Sequence, residues 1–83
     1  MVKAYVLANC EIGYERWVID ELKKIPGIKE AHGIMGAFDI VAEVESPSRE
    51  ELKRTITMKI RKTQKIRSTL TLLGTDQQGY STY

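Results

Sequence analysis

The sequence predicts an α+β domain of ferredoxin-like βαββαβ type, a four-stranded antiparallel sheet with two helices on one face. Three observations predict it. Apolar residues alternate with period two in Val2 to Asn9, Phe38 to Val44 and Ile66 to Leu73. They recur at helical spacing in Tyr14 to Ile25 and again after Ser48, and turn residues separate the runs.

The first strand, Val2 to Asn9, carries Val2, Ala4, Val6 and Ala8 on one face and Lys3, Tyr5, Leu7 and Asn9 on the other. A strand with one wet face would be polar there, so Tyr5 and Leu7 imply cover on both sides. The first helix places Tyr14, Trp17, Val18, Leu22 and Ile25 on an apolar stripe. Pro26-Gly27 ends it, because proline disfavours the α conformation in the residue before it. Ile28 to Met35 alternates poorly and reads as an edge strand. Gly36-Ala37 then reads as a tight hairpin into a strand whose apolar face is Phe38, Ile40, Ala42 and Val44. Ser48 with Glu51 three residues later is a capping box, which starts a second helix running from Arg49 to about Thr63 on Leu52, Ile56 and Ile60. In the last strand Ile66, Ser68, Leu70 and Leu72 alternate with Arg67, Thr69, Thr71 and Leu73. Right-handed crossovers put strands 1 and 3 at the centre, read as parallel neighbours. Residues 1–73 form one domain and 74–83 a polar tail, flexible or docked on a partner.

A chain of 83 residues is one small domain, and such a domain buries only about 60% of its unfolded surface. With a single cysteine, Cys10, no internal disulfide can help, so oligomerisation is the expected source of extra stability and a reducing cytoplasm the expected compartment. The N-terminal apolar run is too short for a signal peptide, and nothing approaches a membrane span. Lys and Arg number 13 against 11 Asp and Glu. The basic residues cluster in Lys53 to Arg67 but are diluted by apolar positions, which predicts a solvated helix face and no direct DNA binding.

Two helices on one side leave the second sheet face bare. That face is expected to hold Tyr5, Leu7, Val41 and Leu73 among Lys3, Asp39, Glu43, Arg67 and Thr71, too apolar for water and too polar for a core. A second copy, sheet against sheet, is the economical cover.

The opening AYVLANCEIGYE, the stretch LKKIPGIKEAHGIMGAFDIVAEVES and the late IRSTLTLL resemble the regulator-of-amino-acid-metabolism (RAM) domain, the C-terminal effector module of Lrp/AsnC transcription factors. The resemblance covers residues 2–73. It implies sheet-to-sheet dimers that assemble into octamer-like rings, and a free amino acid or related effector bound near the strand 2 to strand 3 hairpin. Carried over, it points to Gly36, Ala37, Phe38 and Asp39, with Ser68, Thr69 and Thr71 as weaker contacts. Glycine lets a backbone N–H approach a carboxylate, Asp39 can accept from an ammonium, and threonine can do either. The helix-turn-helix domain of full-length members has no counterpart in the sequence. The resemblance is therefore to a stand-alone module, acting alone or with full-length Lrp/AsnC regulators in transcription regulation.

No cofactor, metal or catalytic residue is implied. His32 has no second ligand at metal spacing, Cys10 has no base beside it, and Trp17 reads as core or interface packing. Two rivals share the fold. A small dimeric monooxygenase or isomerase would have to use His32 or Asp39, and an RNA binder would need aromatics where strand 3 has Asp39, Val41 and Glu43.

Overall fold

The computed structural model describes residues 1–75 and 79–82. Its elements are β1 (Val2–Cys10), α1 (Glu15–Lys23), β2 (Ile28–Gly33), β3 (Ile40–Ser46), α2 (Arg49–Thr55), a π-helical turn (Ile56–Ile60), β4 (Ile66–Thr75) and β5 (Gly79–Thr82). They build one sheet in the order β2-β3-β1-β4-β5. The ferredoxin-like frame is therefore present, with a fifth strand added where a polar tail was expected. Gly74 and Thr75 extend β4, and β5 pairs with it from Leu72↔Thr82 to Thr75↔Gly79. The remaining tail positions, 76–78 and 83, lie outside the described residues.

β1 and β3 are the central pair of the βαββαβ frame, but they run antiparallel, from Val2↔Ser46 to Ala8↔Ile40. The parallel expectation fails for a topological reason. The β1-α1-β2 crossover makes β1 and β2 run the same way, and the chain then turns back so that β3 slots between them, antiparallel to both.

Alternation selects the core. Ala4, Val6, Ala8, Ile40, Ala42 and Val44 are buried beneath Val18 and Leu22 of α1 and Leu52, Ile56 and Ile60 of the second helix. The expected members at the ends of the stripe behave differently. Tyr14 and Trp17 are each 41% exposed and lie outside the core, Ile25 only packs partly against it, and Phe38 falls before β3, half-buried in the connection. The Ser48 cap is present, its hydroxyl accepting from Glu51 N–H at 3.2 Å. The second helix is shorter than expected and changes character. Leu52, Ile56 and Ile60 are four residues apart, so at about 100° per residue an α-helix would carry each about 40° past the last. The wider turn from Ile56, closed by Arg61 N–H on Ile56 O at 2.9 Å, winds less per residue and brings Ile60 back to the core.

Pro26-Gly27 ends α1 as predicted, and Gly27 is required there. Its φ is +100°, and a Cβ would sit 2.9 Å from Glu45 O.

Candidate functional site

The hairpin expected at Gly36-Ala37 is a longer connection. Ile34 to Asp39 joins β2 to β3, closed by Ile34 N–H donating to Asp39 O at 2.8 Å. Its tip is open: Met35 is fully exposed, Ile34 is 37% exposed, and no atom lies within 4 Å of the Cβ position on Gly36, whose φ of +139° favours glycine.

Asp39 anchors this connection to β1. Its N–H donates to Ala8 O at 3.0 Å, and its Oδ2 accepts from Cys10 N–H at 3.1 Å. The second contact falls at a bulge, where the β1-β4 register shifts between Asn9 and Cys10. The carboxylate thus holds a backbone donor that the distorted ladder would otherwise leave over, while Oδ1 accepts no hydrogen bond from a described residue.

Across β1 from Asp39, Asn9 pairs with Ser68, and its Nδ2 donates to Ser68 Oγ at 3.3 Å. Asp39, Asn9 and Ser68 therefore belong to one end of the sheet. Asn9 was not among the expected site residues, although its place as the polar end of a face bearing Tyr5 and Leu7 was legible. Thr69 and Thr71 do not join them. Opposite Ala8 and Val6 in the ladder, they face the helix side. There they line a recess of about 190 Å³ with Ile56, Thr57 and Arg61. Within one chain, the expected effector set is split between the two sides of the sheet.

The bare face also needs one correction. Leu73 pairs with Ala4 and is buried at 6% on the helix side, as is Thr71 at 4%. Leu72, opposite Tyr5, and Leu70, opposite Leu7, take the open face instead. The bulge is the cause. Ile66 pairs with buried Cys10 and Ser68 with Asn9, so Arg67 is an extra residue that reverses the alternation beyond it.

With that change, Val41, Leu7 and Leu70 form one apolar row across β3, β1 and β4, and Tyr5 and Leu72 lie beside it. All five are half-buried. Charges rim the row at the start of β1. Lys3 Nζ lies 3.4 Å from Glu43 and 3.7 Å from Glu45, Lys29 lies 3.8 Å from Glu45, and Tyr5 O–H donates to Glu43 at 3.4 Å. Hydrogen bonding to Glu43, and then its charge, raises the Lys3 amine above its ordinary value.

The groups that catalysis would have to recruit are poorly placed for it. His32 is exposed on β2, its Nε2 3.8 Å from Glu30. Cys10 is buried, and burial, helped by the Glu15, Asp39 and Glu11 charges, raises its thiol and keeps it protonated at neutral pH. Among the described residues no group of His, Cys, Asp and Glu could hold a metal ion, and no helix is long and apolar enough to cross a membrane.

Comparison with known proteins is specific. Residues 3–77 match the family model of the Lrp/AsnC ligand binding domain. An HTH-type transcriptional regulator of Pyrococcus abyssi is 32% identical over 75% of this chain, which spans only 41% of that protein's length. The crystal structure of FFRP-DM1 is 36% identical with a TM-score of 0.86, covering 90% of this chain and 100% of that one. A Pyrococcus horikoshii protein, PHS023, is also 36% identical, with a TM-score of 0.84 and 90% of each chain covered.

Proposed function

The chain belongs to the Lrp/AsnC ligand-binding domain family, and from that premise we propose that it is a non-catalytic module of transcription regulation that binds a free amino acid and works as a sheet-to-sheet oligomer. The observation that carries the effector part is the Ile34 to Asp39 connection. It carries the exposed Gly36 and, three residues on, the Asp39 carboxylate, one oxygen of which accepts no hydrogen bond from a described residue. A zwitterion needs donors for its carboxylate and an acceptor for its ammonium, and this connection offers both. Ser68, held by Asn9, stands at the same end of the sheet. Ala37 and Phe38 supply the rest of the contact. Thr69 and Thr71, opposite Ala8 and Val6 on the helix side, lie away from this connection and add nothing to it within one chain.

Assembly follows from the open face. The Val41-Leu7-Leu70 row with Tyr5 and Leu72 is apolar at its centre and charged at its rim, the arrangement that interfaces share. A second copy covers it, and dimers join further into an octamer-like ring, either of this chain alone or mixed with full-length Lrp/AsnC regulators in the cytoplasm.

Calorimetric titration with the twenty free amino acids tests the effector reading. One or a few give saturable heat, and Asp39→Asn abolishes it while circular dichroism and oligomer mass stay unchanged, because an amide oxygen can still accept from Cys10 N–H. No heat from any of them, or an Asp39→Asn variant that binds as well as the parent, contradicts it.

A further inference from the structure

The recess on the helix side of β4 has a chemistry opposite to that of the Asp39 connection. Thr57, Arg61, Thr69 and Thr71, three hydroxyl-bearing residues and an arginine, line a space of about 190 Å³ with Ile56. Thr71 is 4% exposed, in a row where its neighbour Leu73 and its partner Val6 are apolar core. A hydroxyl in such a position is unfavourable unless something bonds to it. None of the four side chains makes a hydrogen bond or ion pair to another described residue. Among the described residues no sealed side-chain oxygen lacks a partner either, so the Thr71 hydroxyl opens onto the recess.

Local geometry puts Arg61 beside the recess. The π turn inserts an extra residue between Ile56 and Arg61, joined by the 2.9 Å bond from Arg61 N–H to Ile56 O, and both residues line the space. An ordinary α turn would carry Arg61 to a different angle around the helix. The charge environment agrees. From Leu52 to Thr75 the sequence has no Asp or Glu, while Lys53, Arg54, Lys59, Arg61, Lys62, Lys65 and Arg67 are more than half of all its Lys and Arg. Of these, Lys65 is paired with Glu11 at 3.8 Å, and Arg61 is the one cation among the described residues that lines the recess.

We propose that the Arg61, Thr57, Thr69 and Thr71 recess is a second binding site, selective for a phosphate-type oxyanion and independent of the effector connection. A guanidinium fork takes two oxygens side by side, and threonine hydroxyls rotate to donate to the others. An amino acid is disfavoured, because its ammonium would face the guanidinium with no carboxylate beside it. The ligand is inorganic phosphate or the phosphate end of a small monoester.

Titration of the full chain with inorganic phosphate in chloride buffer, followed by ³¹P NMR or calorimetry, tests this. One saturable site per chain is expected at about millimolar affinity or tighter, with Arg61→Gln weakening it about tenfold or more. Thr71→Val, which keeps shape and burial, weakens it severalfold, sulfate competes, and Asp39→Asn changes nothing. Competition by AMP extends the ligand to monoesters, and its failure with phosphate still bound restricts the ligand to the free ion. Absence of saturable binding, or binding unaffected by both Arg61→Gln and Thr71→Val in folded protein, overturns the proposal. So does phosphate binding that Asp39→Asn abolishes.

Discussion

The two faces of the sheet differ in the size of the side chains their strands present and in how far those are covered. On the helix side the strands offer small side chains, Ala4, Ala8, Ala31 and Ala42 among Val6, Ile40 and Val44, and this lets Val18, Leu22, Leu52, Ile56 and Ile60 descend onto the backbone until all are buried. On the open side the strands offer larger ones, Tyr5, Leu7, Val41, Leu70 and Leu72, each only half-buried by its own neighbours. One face is completed within the chain, and the other is left half-covered by it. The charged rim of Lys3, Lys29, Glu43 and Glu45 borders the open face and adds little to stability, since exposed ion pairs contribute about 0–1 kcal/mol.

Matched truncations expose the difference most strongly. Leu22→Ala on the covered side should cost about 2–5 kcal/mol in urea unfolding, through lost transfer energy and a cavity, at any protein concentration. Leu7→Ala should cost about 2 kcal/mol or more only where the oligomer forms, and the unfolding midpoint of the parent should rise with concentration. A Leu7→Ala loss under about 0.5 kcal/mol, the size of an ordinary surface change, would erase the distinction between the faces.

Smaller effects sharpen the picture at the end of β1. Asp39→Ala removes the acceptor of Cys10 N–H and should cost about 1–3 kcal/mol, whereas Asp39→Asn should be close to neutral in stability. Equal losses in the two variants would mean that charge, and not the hydrogen bond, holds the connection. Ser48→Ala removes the helix cap and should cost about 1 kcal/mol in the same unfolding assay. The smallest change is in pH dependence. Burial raises the Cys10 thiol, so the folded chain holds that proton more tightly than the unfolded one. This contribution is complete at neutral pH, below the unfolded thiol value, and is lost as pH climbs through the folded one. A Cys10→Ala variant with an unchanged alkaline decline would remove Cys10 from that account.

The covered face was the more legible of the two. Alternation in β1 and β3 and the Leu52, Ile56 and Ile60 spacing name its core directly, and Ser48 with Glu51 locates the helix start. The open face was read correctly in Tyr5, Leu7 and Val41 as positions on that side, and misread in β4. There Leu70, Leu72 and Leu73 leave the phase of alternation ambiguous, and the bulge opposite Asn9 and Cys10 reverses it. Nothing in Arg67 announces an inserted residue. The β1 and β3 directions were misjudged because alternation is blind to strand polarity. β5 escaped notice because its polar sequence carries no period. In the candidate site, Gly36 and Asp39 stood out as a turn glycine and a nearby carboxylate. The part played by Arg61 depends on a π turn that no residue type marks.

The central claim is that the open face is covered by a second copy. Sedimentation or light scattering at micromolar concentration tests it most directly. A covered face gives a multiple of the 9.5 kDa chain mass, falling to the single-chain value when Leu7→Glu places a charge in the middle of the apolar row. A parent protein that stays at 9.5 kDa across that range, with Leu7→Glu indistinguishable from it, would mean that no second copy covers the face.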